Sequence, residues 1–425
     1  MHKSKFITLL RSLNKEEAEH LAHYLKCHHS EQKVALSIYD FVQRLHPDLP
    51  PQQLNKRFAF ERIFPGEVYH YRRISDGVQK LYVYLRDFLI WREMEQKPLG
   101  NEYLYLQILK NRQLDELFFK QIRQLKKKLN EFAFRDELTY LWQFLINHEH
   151  FFHTNTRKFD THIPSLEEAM AGLDEFFLIA KLKLSTEMMS RRDMVDEQPP
   201  ILFLEPLLKQ VEKTSYRQRP LQKGYALIAE LLEAKHRMGS RADEIFYEVK
   251  QIVSDETVSL GKEDRQILTL HLVNFAAWKI RQGHSQYFPE ALELYQAGLQ
   301  NGALLEDGYL SSVRFLNIID VACNLQDYEW AETFIHFGSP FIAEADRGES
   351  VQVGEARLSF ARGAFDQCIA ALRNVSVKKP LLSLRVRSLY LRAFVELNEN
   401  RELILANCQA FEKSLKRNKV ISTPI

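Results

Sequence analysis

Glycine is scarce in this sequence, with 15 residues in 425, about half the ordinary usage of roughly 7%. Phosphate-cradling loops, strand-to-helix elbows and tight hairpins all consume glycine, because only glycine takes positive φ without strain. The shortage argues against a doubly wound or all-β enzyme. Cysteine is rarer still. The four cysteines, Cys27, Cys323, Cys368 and Cys408, lie far apart and form no CxxC pair, so nothing indicates a disulfide framework or a zinc ribbon. No apolar run approaches the ~20 residues needed to cross a bilayer. The opening MHKSKFITLLRSL lacks the small-residue cleavage site of a secretory leader. GxxxxGK[ST], GxGxxG and GxSxG are missing, and no Ser/His or Cys/His spacing suggests a nucleophile. These absences together describe a soluble, cytoplasmic, non-catalytic protein without a cofactor, a metal or a membrane partner.

What the chain does contain is helix-forming sequence. Leu, Ala, Glu, Lys, Arg and Gln dominate, the residues that lose least on entering a helix. Ile74, Val78, Leu81, Leu85 and Phe88 recur at spacings of four and three, as do Phe118, Ile122, Leu125, Leu129 and Phe132. Each set lines one face of a helix. The only strand-like run, Leu81-Tyr82-Val83-Tyr84-Leu85, is embedded in the first of these stripes. Asn14 with Glu17 forms a capping box, flanked by Leu13 and Ala18. Prolines fall between the periodic segments, not within them. The expectation is an all-α protein of roughly eighteen helices. Polar stretches at 154–164 and 193–200, the second ending in a double proline, are the candidate linkers. They suggest an N-terminal helical domain (1–97), a middle helical segment (98–198) and a C-terminal array (199–425).

Within the array one pattern repeats: an aromatic, two spacers, a small residue, then an apolar position four further on. It occurs at Phe288-Pro-Glu-Ala291 with Tyr295, at Tyr328-Glu-Trp-Ala331 with Ile335, and at Phe365-Asp-Gln-Cys368 with Leu372. A weaker copy centres on Ile404. Small side chains let two antiparallel helices approach closely. The pattern resembles the tetratricopeptide repeat over about 270–417. The third copy matches best, with Ala356 at the first small position, Gly363 and Phe365 at the turn, Cys368, Leu372, and Pro380 closing the unit. Lys279 and Ile319 stand where that family has its first small residue. Segments such as IFPGEVYHYRRISDGVQKLYVYLRDFL resemble a group of bacterial helical-repeat proteins with no established activity.

The resemblance implies an irregular α-solenoid of stacked antiparallel helix pairs, binding a protein or peptide along a groove lined by the first helix of each pair. The family's lining positions fall here on Val273, Ala276, Ala277 and Ile280, on Val313, Leu316, Asn317 and Asp320, and on Ser350, Val353, Gly354 and Arg357. Asn317, Asp320, Asn324, Arg357 and Phe360 are the candidate contact residues. The lysine of the family's carboxylate clamp is missing from all these positions. The bland alternative is that most of them pack against the next helix pair.

A second class of partner comes from charge. The net charge is +2, but residues 1–135 hold 24 Lys/Arg against 16 Asp/Glu, and the remainder 34 against 40. Lys120, Arg123, Lys126, Lys127 and Lys128, with Lys110 and Arg112, are a candidate phosphate or nucleic-acid patch, to which Arg72, Arg73, Tyr69 and Tyr71 would add a stacking surface. The alternative is a solvated helix face. Two histidine groups invite a metal reading. His148-Glu-His150-Phe-Phe-His153 fails as a zincin motif because residue 152 is Phe, although His150 and His153 at i, i+3, with His162 nearby, share a helix face. His20, His23 and Cys27 lie within about 60° on one helix, with His28 or His29 as a fourth ligand. In both places a polar, solvated helix flank is the competing reading. Finally, Leu403, Ala406, Cys408, Phe411 and Leu415 form the last stripe, with no polar capping helix after it. This leaves either an edge that a partner, further sequence or a second copy would cover as a homo-oligomer, or an outer face already polar through Glu412, Lys413 and Lys416.

Overall fold

The structure is a computed structural model of the chain that describes residues 1–96, 99–154, 156, 164–191, 200–213, 219–237, 241–255, 257–373, 375, 380–397 and 401–417. It is all-helical: helix makes up 77% of it, with twenty α-helices and no strands among the described residues. No helix among those residues is long and apolar enough to cross a membrane. The chain divides into two compact units, Met1–Asn130 with Phe152–Phe159, and Glu131–Phe151 with Asp160–Ile425. The division cuts through 98–198, giving its first two helices to one unit and its last two to the other. Most of 154–164 and 193–200 lies outside the described residues.

The first unit begins with α1 (Lys5–Leu10), α2 (Lys15–His28), α3 (Lys33–Gln43), α4 (Lys56–Ile63) and α5 (Tyr71–Gln96). The capping box forms: Asn14 accepts from the Glu17 amide and Glu17 from the Asn14 amide, both at 2.9 Å. The strand-like run lies inside α5, whose buried face is the expected stripe of Ile74, Val78, Leu81, Leu85 and Phe88. That stripe closes a core with Phe6, Leu10, Leu25, Ile38 and Phe60. Next come α6 (Gly100–Asn111) and α7 (Asp115–Asn130). They pack through Leu106 and Leu109 against Phe118, Ile122 and Leu125. The sequence stripe extends to Phe132, but the helix ends at Asn130 and Phe132 is only half-buried.

The second unit opens with α8 (Glu137–Phe151) and the long α9 (Pro164–Ser190), which pack closely because Gly172 has no side chain. A Cβ there would lie 2.7 Å from the Phe144 amide nitrogen. After α10 (Leu204–Val211) come α11 (Pro220–Arg237) and α12 (Arg241–Ser254). Four helix pairs follow. They are α13 (Lys262–Arg281) with α14 (Tyr287–Gln300), and α15 (Ser312–Asn324) with α16 (Tyr328–Gly338). The other two are α17 (Glu344–Ala361) with α18 (Phe365–Leu372), and α19 (Pro380–Glu396) with α20 (Arg401–Arg417). Each helix packs on the next, α15 also packs on α17, α17 on α19, and one continuous core runs through them. A polar cluster, buried at Tyr225 and Asp264 and reaching the surface at Glu263, joins α8, α9, α11 and α13. Asp264 accepts from the Tyr225 hydroxyl at 2.7 Å, and Lys183 reaches Glu137 (3.2 Å), Glu263 (2.9 Å) and Asp264 (3.5 Å). Burial alone would depress the Lys183 ammonium, but the three carboxylates hold it up at about 12.

Three of the four pairs turn in the same way. The residue two past the first helix is left-handed, Gly283 (φ 89°), Gln326 (φ 60°) and Gly363 (φ 76°). The next amide then donates back across five residues: His284 to Lys279 (3.1 Å), Asp327 to Ala322 (3.0 Å) and Ala364 to Ser359 (2.9 Å). This is the Schellman cap, which pairs the helix's last carbonyls. The α6–α7 turn repeats it at Gln113 (φ 57°), with Leu114 donating to Leu109. Beyond each turn in the second unit, Ala291, Ala331 and Cys368 are fully buried. Lys279 is buried as well. Its ammonium pairs with Asp243 and lies 5.5–5.9 Å from the centres of the Phe275, Trp278 and Tyr287 rings.

The last helix differs from expectation by its facing. Ile404, Asn407 and Phe411 are half-buried and Ile404 packs on the core, while Ala406 and Cys408 are exposed and Leu405 is 52% exposed. Spacings of three and four from Ile404 define the inner stripe. The side chains of Leu403, Leu415 and Lys416 fall outside the description. Glu412 and Lys413 are exposed, as the polar-face reading has them.

Candidate functional site

The five candidate groove residues come together in the second unit, though not as five free contacts. Arg357 is almost buried. Its guanidinium donates to the Leu316 carbonyl (3.1 Å) and pairs with Asp320. Asn324 donates to the Asp320 carbonyl (2.7 Å), and Phe360 carries the Arg392 guanidinium 4.6 Å above its ring. Asn317 accepts from Arg385 of α19 at 3.0 Å. The Asp320 side chain is 45% exposed but crowded by the helix walls. That crowding pushes its carboxyl above the usual carboxylate range, while Arg357, Arg385 and Arg392 pull the other way. Among the wider lining positions, Val273, Ala276, Leu316, Ser350, Val353 and Gly354 are buried. All but Val273, which also borders an open cavity, pack against neighbouring helices and present nothing to a ligand, as the packing alternative has it. Gly354 is a close approach: a Cβ there would lie 2.7 Å from Ile319 Cδ1.

What remains open is a cavity of about 400 Å³ between α13 and α15. Val273, Ala277, Val313 and Asn317 from the sequence-derived lining border it. So do residues outside that lining, chiefly His271, Asn274, Arg281, Arg314, Tyr295 and Arg385. No carboxylate is among its lining residues. Arg314 donates to the Leu304 carbonyl (2.8 Å) and reaches Glu306 (3.2 Å), and Arg385 meets the neutral Asn317 amide. His271 is 5% exposed, and burial pushes its pKa down to about 4, so the ring is neutral. Its Nε2 has no hydrogen-bond partner, with Glu187 Oε1 3.7 Å away. The repeat register, carried 36 residues on to the fourth pair, gives Val386, Leu389, Tyr390 and Ala393 and so passes over Arg385, and nothing in the local sequence marks His271.

The basic run stands on α7. Phe118, Ile122, Leu125 and Leu129 are buried, and Lys120, Arg123 and Lys127 point opposite, within about 60° of one another on an exposed face. Lys126 is half-buried off that face, and Lys128 pairs with Glu102. Lys110 is half-buried and Arg112 exposed at the other end of the pair. Tyr71 and Arg73 are already engaged, by the Lys56 ammonium (4.1 Å from the Tyr71 ring centre) and by the Phe64 ring (3.9 Å from the Arg73 guanidinium).

Neither histidine group forms a coordination sphere. Among the described residues, no three or more His, Cys, Asp or Glu are grouped to hold a metal ion. His150 and His153 do not share a helix face, because α8 ends at Phe151. His153 is buried in the first unit, stacked 4.4 Å from the Phe118 ring with Nε2 3.2 Å from Asp115. His162 lies outside the described residues. His20, His23, Cys27 and His28 border a trough between α2 and α5 with Tyr24, Phe88 and Trp91. There Cys27 Sγ is 3.5 Å from His23 Nε2, while His28 and His29 lie against the Tyr24 ring, at centroid distances of 4.6 and 5.9 Å.

No family model matches the chain, and neither does any curated protein or solved structure.

Proposed function

We propose that this protein is a non-catalytic, cytoplasmic scaffold whose C-terminal helix pairs form an irregular tetratricopeptide-like solenoid that binds a protein or peptide segment. The observation that carries the reading is the cavity between α13 and α15, bordered by first helices of successive pairs and open to polar side chains. Repetition of the same turn and the same buried small residue supports a repeat origin. Pockets of this size hold several side chains, not a folded domain.

A photo-crosslinking amino acid at Asn317 tests the reading, with one at Thr333, exposed on α16, as the control. Protein partners in host lysate are expected to crosslink from Asn317 and not from Thr333. Equal capture at both positions would refute it. The exposed Lys120, Arg123 and Lys127 favour a second reading, nucleic-acid association through the first unit. A salt titration separates the two, because phosphate-dominated binding weakens by orders of magnitude between ~50 and ~200 mM salt.

A further inference from the structure

We propose that the cavity between α13 and α15 is an oxyanion subsite for the carboxylate side chains of an acidic peptide segment, held by Arg281 and Arg385. The proposal rests on the scaffold reading and specifies the chemistry of its partner.

Charge comes first. Three guanidiniums from three different helices border one cavity, and none of its lining residues is acidic. The acids nearby are Glu187, 3.7 Å from His271 Nε2, and two that are committed elsewhere. Asp320 pairs with Arg357, and Glu306 takes one edge of Arg314, whose other nitrogen is spent on a backbone carbonyl. Arg385 hydrogen-bonds a neutral amide, with the Asp320 carboxyl near enough to feel its charge, and Arg281 is exposed with no hydrogen-bond or ion-pair partner among the described residues. Guanidinium–carboxylate bonds are among the strongest available to such a surface, since both partners are charged and the donors are paired in one plane.

The neutral groups agree. His271 borders the same cavity with a buried Nε2 that lacks a hydrogen bond, an orphan group whose burial costs free energy until a partner supplies one. Asn274 adds an exposed amide, and Val273, Phe275 and Val313 supply apolar wall for the stems of glutamates. A volume of about 400 Å³ admits a few side chains of an extended peptide, and excludes a nucleic-acid duplex.

The test uses the full chain and fluorescence anisotropy at low salt, with a fluorescein-labelled decaglutamate whose C-terminus is amidated, so that only side-chain carboxylates are offered. Saturable binding is expected, weaker by about tenfold or more in Arg281→Glu and in Arg385→Gln, as loss of one charge-assisted contact implies. Lys120→Glu with Arg123→Glu, on α7, should leave it unchanged. Decaglutamine should not bind. The inference is overturned if decaglutamate binding survives both groove substitutions, or is lost in the α7 variant, or if inorganic phosphate alone occupies the site more tightly than the peptide. Equal binding of decaglutamine would also overturn it, while leaving the scaffold reading standing.

Discussion

Gly172 and Gly348 both sit inside helices, yet the structure requires opposite outcomes when each becomes alanine. In an exposed helix interior the change stabilises by up to about 1 kcal/mol, because glycine loses more backbone freedom on folding. Gly348 meets that case: it is exposed in α17, and an added Cβ finds nothing within 4 Å. Gly172 does not. Its Cβ would lie 2.7 Å from the Phe144 amide nitrogen, 3.1 Å from the Tyr140 carbonyl oxygen and 3.2 Å from Phe144 Cα. These are backbone atoms of α8, which cannot rotate aside as a side-chain tip can. Relief therefore means separating α8 from α9, with overpacking costs of about 1–3 kcal/mol that exceed the propensity gain. At about 2–4 °C per kcal/mol for domains of 150–250 residues, Gly172→Ala should melt a few degrees below the parent protein and Gly348→Ala slightly above it. Differential scanning calorimetry on the three proteins reads both signs at once. A Gly172→Ala protein as stable as Gly348→Ala would mean that α8 and α9 do not approach as described.

Further outcomes follow from individual side chains. Ala331→Leu should lower the urea midpoint by the equivalent of about 1–3 kcal/mol, since Ala331 is fully buried where α16 packs; an unchanged midpoint would show the site has room. Asn14→Ala should cost about 0.5–2 kcal/mol by removing the capping-box acceptor, with amide exchange at Glu17 speeding up as the local readout. His271 takes its proton near pH 4 when folded but near its ordinary ~6.5 when unfolded, so the unfolded state binds more protons between those values. Stability should therefore fall as pH drops from about 6.5 to about 4, by up to roughly 3 kcal/mol, less whatever the Glu187 carboxylate at 3.7 Å returns. Urea curves of His271→Leu should lack that part of the acid loss, and identical pH slopes in both proteins would refute the assignment.

The helices were legible because their determinants are local. A period of 3.6 residues placed Ile74 to Phe88 on one buried face and overruled the strand-like Leu81–Leu85, and the capping box needed only residues three apart. The small residues Ala291, Ala331 and Cys368 were readable for the same reason: each is defined by its own helix start. Periodicity also misled where the helix stopped early, at Phe132 and His153, because an end is set by a cap or turn and the stripe can run past it. On α20 it chose Ala406 and Cys408 over Asn407, since several neighbouring registers fit so short a stripe. The cavity belongs to tertiary structure. Arg385 meets Asn317 across 68 positions, and whether Leu316 or Val313 faces the opening depends on how α13, α15 and α17 pack. His271 is neutral only because other helices bury it, and the grouping of α6 with the first unit and α8 with the second is a matter of which apolar faces meet. Sequence alone thus determined which segments are helical and, on α5 and α7, which face turns inward. The approach of one helix to another, set by side chains far apart in the chain, decided which polar groups share a site.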